Sequence, residues 1–249
     1  MFPNDVLSVI FLYLEQKDAV KTAKLFPGKK WKVTFRVGCA AYDRLSNTFI
    51  VAEVYGWNRR NVPNGLTRLD FWDNFNQPLD GVNLPNTITY LEFRYHFNQP
   101  LDHVKLPDSL IHLQFGWEFN QPLDNVKLPN GLTYIRFGGE FNQPLNNVKF
   151  PDALAHLVFE WEFDQPLDNV KLPNNLIYLN LGHKFNQPLD NVKLPDNLVE
   201  LTFGKYFNQP LDNVKLPDSL TSIRFGEKFN QSLENVKFPP KTAILRPGK

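Results

Sequence analysis

Apolar residues return to the same places along this chain every 22 positions. The phenylalanines Phe75, Phe97, Phe119, Phe141, Phe163, Phe185, Phe207 and Phe229 mark eight successive copies of one unit. In the unit "LPDSLIHLQFGWEFNQPLDNVK", from Leu106 to Lys127, the stretch "SLIHLQF" is bounded by Pro107 and Gly116, which predicts a short strand. Leu110, Leu113 and Phe115 have apolar equivalents in every copy, while the residues between them vary. The constant set is expected to point inward and the variable set outward. A period of this length with one strand per copy predicts a solenoid, in which each coil packs on its neighbours alone.

Stacking the strands of successive coils about 4.8 Å apart turns each repeated residue into a column. Phenylalanine then forms a spine from Phe75 to Phe229, joined by Leu79 through Leu233 and Val82 through Val236. Asparagine follows the phenylalanine in every copy except one, where Asp164 stands. Its expected role is an amide ladder that bonds the loop backbone of the next coil, because buried loop amides need partners. Proline after Gln77 and Gln99 fixes the backbone at a corner. The stretch "FNQPLDNVKLP" therefore reads as the convex wall of the coil, opposite the strand.

These residues carry a resemblance. "LPDSLIHLQF" is similar to the strand motif of bacterial-type leucine-rich repeats, and the unit centred on "FNQPL" resembles the FNIP repeat of amoebae and the giant viruses that infect them. The match runs from residue 62 to residue 238, with local departures at Gly81, His103, Asn146 and Ser232. It implies a mainly β, leucine-rich-repeat-like solenoid. Residues 32–61, which take in most of the run "WKVTFRVG" after Trp31 and all of "NTFIVAEVYGW", are expected to cap its N-terminal end. Residues 239–249 start a ninth coil and are expected to exchange its strand for a proline-rich tail.

Residues 1–31 have a different pattern. Val6, Leu7, Ile10, Phe11 and Leu14 fall at helical spacing behind Asn4 and Asp5, and Asp18 can cap a second helix. Read from the pattern alone, this small α-helical segment would dock on the first coil. Phe2-Pro3, Asp5, Val6-Leu7, Ile10-Phe11, Tyr13-Leu14 and Asp18 also resemble an F-box, with Trp31 at the place of its late tryptophan. That resemblance implies that Pro3, Leu7, Ile10, Phe11 and Leu14 contact a Skp-type adaptor of a cullin–RING ubiquitin ligase.

Charge and composition narrow the setting. A net charge of +1 gives no bulk attraction to nucleic acid or to a membrane surface. The lone Cys39 excludes an internal disulfide and fits a reducing compartment. The first residues have no basic segment ahead of their short apolar run, so neither a signal peptide nor a membrane span is expected. Together these predict a cytoplasmic protein, in the host cytoplasm if the chain is viral.

Chemistry is sought on the outward positions. One strand column reads Arg68, Tyr90, His112, Tyr134, His156, Tyr178, Glu200, Ser222; the next reads Asp70, Glu92, Gln114, Arg136, Val158, Asn180, Thr202, Arg224. Tyr95, Trp117 and Trp161 follow the strands. Aromatic residues among a few charges make a protein-binding face on the concave side, with Tyr90, Glu92, His112, Gln114, Trp117, Tyr134, Arg136, His156, Trp161 and Tyr178 as its contacts. Aromatic residues also simply suit strands.

Glu118, Glu140 and Glu162 share a column at about 5 Å, the carboxylate separation of retaining glycosidases. They lie in turns beside His96 and Lys184, and the sequence supplies no cleft around them. His112 and His156 are two coils, about 10 Å, apart, too far to share a metal ion. The lysine column from Lys105 to Lys237 runs beside Asp102, Asp124, Asp168, Asp190 and Asp212, whose charge offsets it. The expectation is a non-catalytic receptor without cofactor or metal, holding a Skp adaptor at one end and an unknown target on the array. The alternative is an interaction scaffold whose N-terminal helices only cap the coils.

Overall fold

The computed structural model describes residues 40–43, 48–51, 62, 65–71 and 73–246. The proposed adaptor contacts Pro3, Leu7, Ile10, Phe11 and Leu14, and the helices carrying them, lie outside the described residues. So does the strand-like run "WKVTFRVG", but for its last neighbours.

Among the described residues eleven strands form one sheet in chain order. They are β1 (Ala40–Asp43), β2 (Thr48–Val51), β3 (Arg68–Phe71), β4 (Tyr90–Glu92), β5 (His112–Gln114), β6 (Tyr134–Arg136), β7 (His156–Val158), β8 (Tyr178–Asn180), β9 (Glu200–Thr202), β10 (Ser222–Arg224) and β11 (Ala243–Leu245). The pair β1 and β2 is antiparallel; every later pair is parallel. From β3 to β10 the register places each residue opposite the one 22 positions on, as at His112 and Tyr134.

The strands are shorter than the seven-residue stretch the sequence suggested: β5 covers only His112–Gln114. Turns trim it on the upstream side. Leu110 N donates to Pro107 O at 3.0 Å, and Ile111 and His112 both donate to Thr89 O, at 2.9 and 3.0 Å. A single carbonyl serving two amides pinches the ladder and ends the strand there.

The core is a set of columns. Leu113, Phe115, Phe119, Leu123 and Val126 are buried, as are their equivalents through nearly every coil. The strand phenylalanines Phe93, Phe115, Phe137 and Phe159 make a second aromatic column beside the expected spine. Phe115 and Phe119 stack within one coil at 4.0 Å, and Phe119 stacks on Phe97 and Phe141 at 6.1 and 6.2 Å. Leu181 interrupts the second column. Fully burying each ring is worth roughly 1.5–3 kcal/mol, so the two aromatic columns add to the more numerous leucine and valine columns in holding the coils together.

The asparagine column is a hydrogen-bond ladder. Asn98 N and Gln99 Nε2 both donate to Asn76 Oδ1, at 3.0 and 2.9 Å. The pattern repeats down to Asn230 N on Asn208 Oδ1. Asp164 fits because the position works through its oxygen: it accepts from Asn186 N and Gln187 Nε2, at 2.8 and 2.9 Å. The lysine column makes no ion pair with the neighbouring aspartates, so any relief between them acts through solvent.

The ninth coil corrects an expectation. Residues 243–245 do form a strand, β11, parallel to β10. The reason is local: Thr242 N donates to Pro239 O at 3.0 Å, the same turn that Leu220 makes with Pro217, and Thr242 Oγ1 donates to Leu220 O at 2.8 Å. The coil thus enters its strand position before the final prolyl segment is reached.

Candidate binding face and its cleft

The outward column of the strands is a stack of planar groups. The Arg68 guanidinium lies 3.7 Å from the centroid of Tyr90, Tyr90 stacks on His112 at 4.2 Å, and His112 on Tyr134 at 4.0 Å. His156 and Tyr178 continue it with tilted rings at 5.9 and 6.0 Å. The parallel register enforces this, because equivalent side chains in successive strands are direct neighbours.

The adjacent column supplies the charges. Glu92 accepts from Arg68 Nη2 at 3.2 Å, from Tyr90 Oη at 2.9 Å and from Gln114 Nε2 at 3.3 Å. Asp70 is the buried charged residue among those described, held by Arg68 Nε at 2.9 Å. Burial pushes the Asp70 carboxyl above its usual range, against the hydrogen bond from Arg68. Burial and the bond to Glu92 push the Tyr90 phenol up to about 12. Burial lowers the His112 imidazole below its ordinary value and raises the Tyr134 phenol.

Past the strands a second backbone ladder sets a ledge. Glu118 N donates to Tyr95 O, Glu140 N to Trp117 O, Glu162 N to Gly139 O and Lys184 N to Trp161 O, all at 2.8–2.9 Å. It aligns Tyr95, Trp117, Gly139, Trp161 and His183 in one row. Tyr95, Trp117 and Trp161 remain 47%, 37% and 43% exposed. Tyr95 stacks on Trp117 at 6.2 Å, and Trp161 on His183 at 4.2 Å. Trp117 and Trp161 stand two coils apart yet approach to 6.0 Å. Gly139 makes this possible, since a Cβ there would lie 2.5 Å from the Trp117 ring.

Beside the ledge, His96 pairs with Glu118 at 2.8 Å and Lys184 with Glu162 at 2.6 Å. Among the described residues Glu140, between them, has no ion pair.

At the far end the ledge opens into a cleft of about 510 Å³. Trp161, His183, Thr202, Tyr206, Arg224 and Arg246 line it, together with Gly182, Gly204 and Gly226. Gly182 has φ +78°, and its amide is held by Asn180 Oδ1 at 3.0 Å. A Cβ on Gly204 would overlap the Gly182 carbonyl oxygen, so the coils can meet here only as bare backbone.

The FNIP Repeat family model matches residues 60–96, 97–140, 141–184, 163–206, 185–228 and 207–246. The chain belongs to the FNIP-repeat family. Its FNIP array is similar to CroV588, described as a circular leucine-rich-repeat protein of known crystal structure. The two are 48% identical with a TM-score of 0.67, over 74% of this chain and 27% of that one. The chain thus spans about a quarter of that protein's length. An internalin (InlF) from Listeria monocytogenes overlaps more loosely, 12% identical with a TM-score of 0.44 over 71% of this chain and 59% of that one. No curated protein matches the chain.

Within the FNIP coils the structure brings Tyr90, His112, Tyr134, His156 and Tyr178 into one stack, and Glu92, Gln114 and Arg136 into the column beside it. Arg136 Nε reaches forward to Glu160 Oε1 at 2.7 Å. Trp117 and Trp161 stand apart from that stack, on the ledge. Sequence reasoning saw no cleft and did not select His183, Lys205, Tyr206 or Arg246. A signal was present: the residue before the ledge is glycine at 116, 138, 182, 204 and 226, which marks close backbone approach.

Proposed function

We propose that this FNIP-repeat chain is a non-catalytic receptor in a cullin–RING ubiquitin ligase: residues 1–31 hold a Skp-type adaptor and the outer face of the array holds a target protein. The observation that carries the target-binding half is the exposed row Tyr95, Trp117 and Trp161. Large aromatic side chains aligned past the ends of successive strands and flanked by charges have the composition of an interface hot spot. The adaptor half rests on the F-box resemblance of the first residues. Mechanistically the receptor acts by proximity, raising the target's local concentration near the conjugating enzyme. Such a role fits the cytoplasm, of the host if the chain is viral.

A second reading, an interaction scaffold without the ligase, is favoured by one feature. The β2 strand pairs in parallel with β3, so the chain ahead of the repeats already belongs to the array. Helices upstream would then serve as its end cap. One experiment separates the two: co-purification of the full chain, and of a chain lacking residues 1–30, with a Skp adaptor. Binding that needs those residues and is lost in Phe11→Asp supports the receptor. No binding by the full chain, together with insolubility of the truncated one, supports the scaffold.

A further inference from the structure

The cleft at the end of the ledge gathers two buried polar groups that no described residue satisfies; the third such atom, His112 Nε2, lies in the ring stack at the other end of the face. Thr202 Oγ1 and His183 Nδ1 are buried and have no hydrogen-bond partner. Both residues line the cleft. Desolvated polar atoms without partners are rare, and a ligand is one of the things that satisfies them.

The charges around the cleft are unevenly spent. Glu160 is occupied by Arg136 at 2.7 Å, and Glu227 by Lys205 at 3.2 Å. Among the described residues Arg224 and Arg246 make no ion pair; the Arg246 guanidinium lies 5.6 Å from the Phe229 ring centroid. Two guanidinium groups thus line the same cleft as two unsatisfied polar atoms, together with Gly182, Gly204 and Gly226.

We propose that this cleft binds a carboxylate of an acidic peptide segment in the partner. Arg224 and Arg246 pair with the carboxylate, Thr202 Oγ1 donates a hydrogen bond to it, and His183 Nδ1 meets a polar group of the peptide backbone. The segment lies along the Trp161 and His183 rings. Guanidinium groups suit this task because their planar donors match a carboxylate. The inference rests on the outer face being a protein-binding face, and not on the adaptor.

The test titrates the full chain with a capped peptide of alternating aspartate and alanine, following the Trp161 indole N–H by NMR, with Trp161→Phe assigning the signal. Controls are the same peptide with asparagine for aspartate, and an alanine peptide with a free C-terminus. The aspartate peptide is expected to shift the Trp161 signal, and Arg224→Gln, Arg246→Gln and Thr202→Val each to weaken it, roughly tenfold for either arginine. Glu140→Gln should leave the affinity unchanged. Binding of the free-terminus alanine peptide with the same arginine dependence would assign the carboxylate to a chain end.

Equal binding of the aspartate and asparagine peptides, or unchanged affinity in both arginine variants, would overturn the proposal. So would the absence of any shift with either carboxylate peptide at about 1 mM. Thermal melts of the variants confirm folding, since both arginines are exposed. Peptide binding without adaptor binding would remove the ligase reading and keep the cleft; adaptor binding without peptide binding would do the reverse.

Discussion

The two ends of the outer face use the same strand positions in opposite ways. Around β3 to β6 most side chains engage one another, the buried His112 Nε2 excepted: Arg68 covers Tyr90, the rings of Tyr90, His112 and Tyr134 stack, and Glu92 collects three donors. Around β8 to β10 equivalent positions carry Asn180, Thr202 and Arg224, and the ledge residue His183 has a buried nitrogen without a partner. The contrast teaches that a repeat array can hold one backbone geometry constant while spending its variable positions either on internal cohesion or on unmet bonding capacity. The second kind is where a ligand has most to gain.

The largest expected effect tests the backbone they share. Phe119→Ala removes a ring with neighbours at 4.0, 6.1 and 6.2 Å and should cost about 3–5 kcal/mol of stability. Phe229→Ala, at the last copy and with no following phenylalanine, should cost less. Denaturant melts decide it, and equal losses would mean that the end coil is as tightly held as the middle.

Next comes Glu92→Ala, which takes the acceptor from the Tyr90 hydroxyl and leaves Arg68 with Asp70 alone, and should cost roughly 1–3 kcal/mol. Arg224→Ala, at the corresponding column of the open end, should change stability by no more than about 0.5 kcal/mol. Similar losses in both would break the comparison.

The smaller effect is on pH. Burial depresses the His112 pKa, so in the folded state this ring takes up its proton later than in the unfolded chain. As pH falls through the unfolded value of about 6.5, the unfolded state binds the proton first and stability drops. Between about pH 7 and pH 5, His112→Gln should therefore lose less melting temperature than the parent chain. An identical slope in the two would place His112 in contact with solvent rather than in the stack. The smallest effect is expected for Lys184→Ala, whose exposed pair with Glu162 should contribute between about 0 and 1 kcal/mol.

Much of the array was legible because repetition multiplies every signal. The phenylalanine spine, the inward Leu113 and its equivalents, and the asparagine ladder through Asn76 Oδ1 are what the 22-residue period demands once coils stack. The strand limits were less legible, since Leu110 and Ile111 are strand-like residues but their amides serve a turn and a shared carbonyl. The β11 strand was missed because Pro239 and Pro240 look like an ending, whereas Pro239 O caps the same turn that opens the other coils. The outward columns were correctly placed on one face. Yet the sequence reading treated Trp117 and Trp161 as part of the same patch as Tyr134, although the structure puts them in separate rows.

By itself, then, the sequence determined the repeat, the columns and the family, because each follows from translation by one coil. Only the tertiary structure decided which side chains find partners across coils. Whether Glu160 is spent on Arg136, or His183 keeps an unbonded nitrogen, depends on side-chain reach between neighbours one coil apart and on where glycine lets two backbones close together. Those are distances between coils, and a single coil's sequence does not contain them.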